Sequence, residues 1–349
     1  MPQATESHTQ LVPAADQLAT PDEAQRLFRH RREHITEIDQ PLVLISQMQR
    51  SGGTLLSELF DGHPQLHAHP YELHIGHPTK YDWPVLDLDA GPEEWHEILH
   101  EEILERYFDQ GYHKYARKHV AYQDENLEAH PFTLVPSFQR SLFLELASER
   151  EIRTQRDVLD LYMTSYFNAW LDNQNLHGTE KRFVIGFCPR LAWGTSRAAF
   201  LEAYPDGRQI SAIRDPNGFF ASARLAYPQK YGDITEAIGL WRMAAEEILA
   251  AKQERPDAVH VVAFETLLSE TEATMRAACT FLGIDFDPIL TRPTFNRRPI
   301  KANSSFRVSR HGILDEPICR TETLSDDERN AIEEWVGETY REVRTLASA

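Results

Sequence analysis

The sequence LVLISQMQRSGGTLLSELFDGHP, residues 42–64, predicts a strand, a tight turn and a helix in immediate succession. PLVLIS is a continuous apolar run of strand length, which is typical of a strand that is buried on both faces. The turn RSGGT, residues 50–54, leads straight into a helix that we expect to stop at Gly62. A glycine turn between a parallel strand and a helix N-terminus favours an anion, usually a phosphate. The ATP-binding form of this loop, G-x-x-x-x-G-K-[ST], is absent.

Further strand-like segments predict the rest of a sheet. RFVIGF (182–187), RQISAI (208–213) and AVHVVAF (258–264) have the composition of buried strands, and predicted helices separate them. Strands that alternate with helices indicate a parallel sheet with helices on both faces. We therefore expect an α/β protein with three layers, a central parallel sheet flanked by helices.

The chain is expected to divide into an arm and one domain. Residues 1–40 should form a polar arm and a short helix that begins near Pro21, and residues 41–349 the domain. Helical spacing over 92–110 and 156–175, with an irregular segment at 111–137, predicts a helical insertion at about 80–180 that lies over the active face.

Composition excludes several classes of function. The net charge of −18 argues against general binding to nucleic acid or to an anionic membrane. Three cysteines, at 188, 279 and 319, form neither a disulfide framework nor a metal knuckle. The N-terminus lacks a signal-peptide core, and no run is long enough to cross a bilayer. We expect a soluble cytoplasmic protein.

A second strand-to-helix junction carries an arginine. Arg214 ends the strand RQISAI, Asp215 can cap the next helix, and Pro216 suits its first position. Ser222 follows on that helix, eight residues after Arg214. Because ligands of such sheets lie beyond the carboxyl ends of the strands, an arginine fork and a hydroxyl there could hold a second phosphate.

Both junctions resemble motifs of the sulfotransferases. QRSGGTLL resembles their 5′-phosphosulfate-binding loop, and IRDPNGFFASA resembles their 3′-phosphate motif with the same spacing from Arg214 to Ser222. RSGGTLLSELFDGHPQL looks like the bacterial and Golgi-type members, and the resemblance covers most of residues 41–346. It implies a P-loop-like fold that uses 3′-phosphoadenylyl sulfate as donor, needs no metal and releases adenosine 3′,5′-bisphosphate.

The resemblance also implies roles for individual residues. Arg214 and Ser222 would hold the 3′-phosphate. Arg50 stands where many cytosolic relatives have lysine, so we assign it charge stabilisation and no proton transfer. Gly53 stands where threonine is common. The 5′ side of the donor would be held by Arg50, Ser51, Gly52, Gly53, Thr54 and Leu55.

A basic segment, residues 292–311, contains six lysines or arginines and no acidic residue. It could be a solvated loop that neutralises acidic neighbours. By resemblance, it could instead form a lid over the donor, with Asn303, Ser304 and Ser305 adding hydrogen bonds to the phosphates.

An alcohol acceptor needs a base, because an in-line displacement at sulfur removes its proton. HPQLHAHPYELHIGHP, residues 63–78, contains one carboxylate, Glu72, where many sulfotransferases carry a catalytic glutamate. Glu72 is our choice, and His69 and His74 are the rival bases. His67, His69 and His74 could alternatively bind zinc, but their spacing matches no common zinc arrangement.

Two other functions are possible on the same fold. A P-loop kinase is disfavoured because the Lys-[ST] pair for magnesium nucleotide is missing. A non-catalytic nucleotide-binding protein is disfavoured because Arg50, Arg214, Ser222 and Glu72 are all retained. The acceptor could be a sugar, a phenol or a lipid headgroup in an aromatic cleft, although the same side chains would suit a plain core: Tyr107, Tyr112, Tyr115, Tyr122, Phe132, Phe138 and Trp170.

Overall fold

The computed structural model describes residues 21–76, 82–109, 113–114, 130–189, 191, 195–301, 312–313 and 321–347. Its centre is a five-stranded parallel sheet. The described strands are β1 (Leu42–Gln47), β2 (Leu66–Glu72), β3 (His113–Lys114), β4 (His130–Pro131), β5 (Phe183–Phe187), β6 (Arg208–Ile213), β7 (Val259–Ala263), β8 (Thr294–Phe295) and β9 (Arg298–Pro299). The order in the sheet is β2-β5-β1-β6-β7, so β1 lies at its centre.

Helices lie on both faces of this sheet. The described α-helices are α1 (Pro21–Glu33), α2 (Gly53–Phe60), α3 (Pro92–Leu99), α4 (Glu102–Asp109), α5 (Pro136–Glu149), α6 (Gln155–Ala169), α7 (Ser196–Ala203), α8 (Pro216–Ala226), α9 (Pro228–Tyr231), α10 (Ile234–Glu254), α11 (Phe264–Ser269), α12 (Thr271–Leu282) and α13 (Asp326–Leu346). None of them is both long and apolar enough to span a membrane.

The central strand explains why its sequence is apolar throughout. Successive side chains of a strand point to opposite faces, and every residue of β1 is buried. Leu42 and Leu44 pack in the core beneath α5 and α6, whereas Val43 and Ile45 pack in the core that includes α2. The predicted three-layer α/β fold is confirmed.

The predicted strands agree with the structure to within one or two residues, but some helices differ. The predicted helix 92–110 is two helices, because the chain turns at His100 and Glu101 between α3 and α4. The helix predicted over 156–175 ends at Ala169. The segment predicted as irregular, 111–137, includes the first residues of α5, a helix that is not among the predicted ones.

The aromatic residues of the insertion form a core. Phe132, Phe138 and Trp170 are at least 97% buried, and the Phe132 and Trp170 rings lie 5.1 Å apart. Tyr107 packs with them. These side chains therefore fill the space between α4, α5 and α6, and the remaining three tyrosines of the set, at 112, 115 and 122, lie outside the described residues.

Candidate active site

The backbone of the turn between β1 and α2 has a positive φ at two positions. Arg50 has φ 73°, a left-handed conformation that side chains other than glycine rarely adopt. Gly52, the N-cap of α2, has φ 90°. A Cβ atom at Gly52 would lie 2.2 Å from the Phe264 ring, so the turn needs glycine there for both conformation and space. Strain of this kind concentrates at functional sites.

Some backbone N–H groups of the turn are already bound. Ser51 N donates to Met48 O at 3.2 Å. Gly53 N donates to the side-chain oxygen of Gln47, which is buried at the end of β1. Gln47 thus closes the turn, a contact that sequence reasoning missed.

Other donors of the turn remain open at the positive end of α2. The N–H groups of Gly52, Thr54 and Leu55 find no acceptor among the described residues. The Ser51 hydroxyl is completely buried and likewise has no hydrogen-bond partner there. Buried polar groups are normally paired, so this concavity is suited to an anion that would satisfy them.

The second predicted junction has the local structure that the sequence indicated. Asp215 caps α8 by accepting a hydrogen bond of 2.9 Å from Gly218 N, with Pro216 in the first turn. Trp241 Nε1 donates to the Arg214 carbonyl at 3.0 Å and so holds the backbone before the cap. The Arg214 side chain is nearly buried.

The two junctions meet. Arg214 Nη1 donates to the Arg50 carbonyl at 3.0 Å, and Arg50 Nη2 lies 3.4 Å from the Ser222 hydroxyl. The Phe264 ring lies between them, 4.8 Å from the Arg214 guanidinium and against Gly52. The two predicted phosphate-binding sets therefore form one continuous cationic surface, since β1 and β6 are neighbours in the sheet.

A buried carboxylate adjoins this surface. Glu265 Oε1 accepts from Asp215 N at 3.1 Å, and its other oxygen is buried without a partner among the described residues. Burial raises the pKa of Glu265, although hydrogen bonds from its own backbone N–H and from Asp215 N, together with the charge of Arg214, oppose the shift.

The proposed base lies at the end of β2, an edge strand. The register between β2 and β5 shifts between Ala68 and Glu72, around Pro70, and Leu73 N donates to Phe187 O at 2.7 Å. Pro is tolerated at such irregular edge positions because it cannot donate to the ladder. Glu72 Oε2 lies 3.1 Å from His74 Nε2, and the Glu72 side chain is 37% exposed.

His69 has a different environment. Its side chain is completely buried, with Nε2 3.1 Å from Glu101 Oε1 and Nδ1 2.9 Å from the Tyr71 carbonyl. Both ring nitrogens face oxygen acceptors, which leaves neither for a substrate proton.

Glu101 lies in the turn between α3 and α4, completely buried. It accepts hydrogen bonds from the His69 ring, from Tyr162 OH at 3.1 Å and from His74 N at 2.9 Å. Burial alone would raise the pKa of Glu101, but the His69 ring and the hydrogen bond from His74 N lower it below its usual value. Sequence reasoning placed this residue inside a continuous helix and so did not single it out.

The histidines do not form a metal site in the described part of the chain, where no group of three or more potential ligands is arranged around a common point. His69 and His74 bind different carboxylates, and His67 packs against the Phe167 ring, 5.2 Å away. These three histidines therefore do not share a common ligand point, and the described residues give the zinc alternative no support.

The described part of the basic segment contacts the far end of α2. Asp61 accepts from the Thr294 hydroxyl at 2.8 Å and from the backbone N–H groups of Asn296 and Arg297 at 3.1 and 2.9 Å. Asp61 follows the last turn of α2, about 12 Å from the glycine turn at 1.5 Å per residue. The predicted lid residues Asn303, Ser304 and Ser305 lie outside the described residues.

Comparisons with known proteins give one family match and several similar structures. A sequence model described as "Sulfotransferase family" matches residues 41–288. The sulfotransferase domain of the olefin synthase from Synechococcus PCC 7002 is similar in structure, with a TM-score of 0.50 and 19% identity over 86% of this chain and 96% of that domain. A sulfotransferase from Alicyclobacillus acidocaldarius is similar with a TM-score of 0.44 and 14% identity, over 88% of this chain and 96% of that one.

A search of curated proteins finds no significant match. The Synechococcus structure supports the fold, and the family assignment rests on the sequence match, which spans well over half of the chain. The chain belongs to the sulfotransferase family.

Proposed function

We propose that the protein transfers a sulfuryl group from 3′-phosphoadenylyl sulfate to a hydroxyl or amine and releases adenosine 3′,5′-bisphosphate. Membership of the sulfotransferase family supports sulfuryl transfer in general. The observation that carries the finer proposal is the 3.0 Å hydrogen bond between Arg214 and the Arg50 carbonyl, which joins two anion-binding sets. A donor with a phosphosulfate at one end and a ribose phosphate at the other requires two such sets.

The residues of the turn fit the phosphosulfate. The open N–H groups of Gly52, Thr54 and Leu55, the Ser51 hydroxyl and the Arg50 guanidinium would bind its oxygens. These are neutral or singly charged donors, with no adjacent lysine and no arrangement suited to magnesium nucleotide. Gly53 N–H is bound to Gln47 and would orient the turn. Arg214 and Ser222 would bind the 3′-phosphate.

The Glu72–His74 pair would accept the proton of the acceptor. Its partial exposure allows contact with a substrate, whereas the buried His69 lacks a free nitrogen. As the acceptor oxygen bonds to sulfur, the bond from sulfur to the phosphate oxygen breaks in line. Glu72 takes the proton, His74 orients the Glu72 carboxylate, and Arg50 stabilises the negative charge that develops on the leaving oxygen.

The acceptor class, a cytoplasmic location and a bacterial type remain predictions. The buried aromatic cluster of the insertion gives no support to an aromatic acceptor cleft, because those side chains contact one another. A sugar, a phenol and a lipid headgroup are all retained in the acceptor screen below.

Two measurements test the function. Calorimetry should show binding of adenosine 3′,5′-bisphosphate and none of magnesium ATP. Labelled 3′-phosphoadenylyl sulfate should transfer its label to at least one member of a panel of sugars, phenols, amines and lipid headgroups. Preferential binding of magnesium ATP would instead support a kinase, and donor binding without transfer to any acceptor would support a non-catalytic role.

A matched pair of variants tests the base. Glu72→Gln should abolish transfer while leaving adenosine 3′,5′-bisphosphate binding intact. The control is Glu105→Gln, which alters another Glu–His pair, with Glu105 Oε1 3.5 Å from His100 Nε2. Transfer that survives in Glu72→Gln would move the base to His74.

A further inference from the structure

One carboxylate ties together both ends of the segment that presents the proposed base. Glu101 Oε1 lies 3.1 Å from the His69 ring, and Glu101 Oε2 accepts the His74 backbone N–H at 2.9 Å. Glu72 lies between these two anchors in sequence. The other nitrogen of the His69 ring lies 2.9 Å from the carbonyl of Tyr71, the residue directly before Glu72.

The segment needs such an anchor because the sheet holds it on one side only. β2 is an edge strand, and its pairing with β5 is irregular between Ala68 and Glu72. The position of an edge strand with an irregular register is only weakly fixed by its hydrogen bonds to the neighbouring strand. Without a contact from outside the sheet, the direction of the Glu72 side chain would depend on a bulged edge and a single loop.

The anchor comes from the helical insertion. Glu101 is completely buried between α3 and α4, and Tyr162 on α6 donates a third hydrogen bond to it at 3.1 Å. A buried charge is costly, and apolar side chains of similar volume often give equal or greater stability. We explain the buried Glu101 carboxylate by its geometry, because one carboxylate can accept hydrogen bonds from a ring and from a backbone N–H at the same time.

We propose that Glu101 is a positioning residue that holds His69 and the His74 backbone so that the Glu72–His74 pair faces the acceptor. This inference rests on the proposed function for its catalytic consequence, although the contact itself can be tested without an acceptor. It also gives the predicted insertion a role beyond covering the sheet, because Glu101 and Tyr162 of that segment hold the residues on either side of the proposed base.

Hydrogen–deuterium exchange tests the contact directly. In Glu101→Gln the amide cannot accept from both partners as the carboxylate does, so peptides that cover 69–76 should lose protection. Asp172→Asn is the matched control, because Asp172 is also buried and accepts from a backbone N–H, Thr133 at 2.7 Å, and from a ring N–H, Trp170 at 2.9 Å. It should leave exchange at 69–76 unchanged. Unchanged protection in Glu101→Gln would overturn the proposal.

Kinetics with the best acceptor of the panel test the consequence. Glu101→Gln should lower kcat by about 100-fold, the usual scale of a 1 Å misplacement, with KM for the donor unchanged. Adding Glu101→Gln to Glu72→Gln should leave the remaining background rate of transfer unchanged, because Glu101 acts through Glu72. Additive losses, or loss of donor binding, would indicate a merely structural role and overturn the proposal.

A second variant covers a failure to fold. Glu101→Asp keeps the buried charge but is one methylene shorter, so it cannot reach both anchors, and the same loss of kcat is expected. Full turnover in Glu72→Gln would overturn the base assignment and the positioning role with it. Normal kcat in folded Glu101→Asp and Glu101→Gln, beside an inactive Glu72→Gln, would overturn the positioning role alone.

Discussion

Arg214 Nη1 donates a hydrogen bond of 3.0 Å to the backbone carbonyl of Arg50, 164 residues earlier in the chain. Through this bond the second arginine motif supports the backbone of the first at a position with φ 73°. The hydrogen bond therefore links the backbone of the first motif to the side chain of the second. A change at Arg214 should disturb both ends of the proposed donor site.

Arg214→Ala should weaken binding of adenosine 3′,5′-bisphosphate by about 10- to 100-fold, the range for loss of charge-assisted hydrogen bonds. The loss has two sources, because the variant removes a phosphate ligand and releases the Arg50 carbonyl. Isothermal titration calorimetry measures the dissociation constant.

Arg224→Ala is the control for Arg214. Arg224 lies on the same helix, α8, two residues beyond Ser222, and pairs with Glu328 at 2.6 Å in a partly exposed position. Its loss should leave the dissociation constant unchanged. Equal effects from both variants would show that Arg214 acts only through general charge or stability.

Arg50→Gly should separate stability from binding. A left-handed φ costs a residue with a side chain about 1–2 kcal/mol relative to glycine. We therefore expect a melting temperature no lower than that of the wild type, together with loss of donor binding because the guanidinium is gone. Thermal denaturation and calorimetry on the same preparation measure both quantities.

Arg297→Gly provides the comparison for Arg50→Gly. Arg297 has φ 66° and lies at the far end of α2, where its backbone N–H binds Asp61. The same relief of backbone strain should occur there with donor binding intact. If Arg297→Gly weakened donor binding as much as Arg50→Gly, the assignment of Arg50 to the donor would be wrong.

The elements that could be predicted have a sequence pattern within the element itself. β1 is buried on both faces and so reads as an unbroken apolar run, and Asp215-Pro216 marks a helix start by its own chemistry. The helix α5 buries one stripe of its surface, but polar Gln139 lies within that stripe and interrupts its apolar pattern. The break at Glu101 was missed because no glycine or proline marks it.

The candidate site likewise contains some residues that could be predicted from the sequence and others that could not. Arg50, Arg214 and Ser222 could be brought together from the sequence, since each follows the carboxyl end of a strand or lies on the helix after it. Phe264 and Glu101 could not, because their roles depend on contacts with residues remote in sequence. Gln47 could not, because its contact with Gly53 depends on the conformation of the turn. Phe264, for example, acts by filling the space beside Gly52, more than 200 residues earlier.

Gly53 and Gln47 should behave as a coupled pair. A Cβ at Gly53 would lie 2.7 Å from Gln47 Cδ and 2.6 Å from the Phe187 ring. Gly53→Ala should therefore lower the free energy of unfolding by about 1–3 kcal/mol, as overpacking does. Adding Gln47→Ala should recover part of that loss, giving a coupling energy of about 0.5 kcal/mol or more by denaturant unfolding.

Gly239→Ala shows what the same change does without a clash. Gly239 is exposed on α10, and nothing lies within 4 Å of its hypothetical Cβ. Alanine should raise the free energy of unfolding there by about 0.5–1 kcal/mol.

The Gly53–Gln47 pair has its own contradicting outcome. Strictly additive effects of Gly53→Ala and Gln47→Ala on the free energy of unfolding would mean that the two residues do not compete for the same space.

His67 should make the fold sensitive to acid. Burial, together with nearby Lys181 and His177, lowers the pKa of His67 to about 3, so it is neutral when folded. An unfolded histidine, with a pKa near 6.5, takes up a proton below that pH, so the stabilisation is complete above about pH 6.5 and is lost as the pH falls towards 3. At pH 5 this residue lowers the free energy of unfolding by about 2 kcal/mol.

Between pH 7.5 and pH 5, the free energy of unfolding of His67→Gln should therefore fall by about 2 kcal/mol less than that of the wild type, as measured by urea unfolding. Parallel slopes for the wild type and His67→Gln would show that His67 is not the residue responsible.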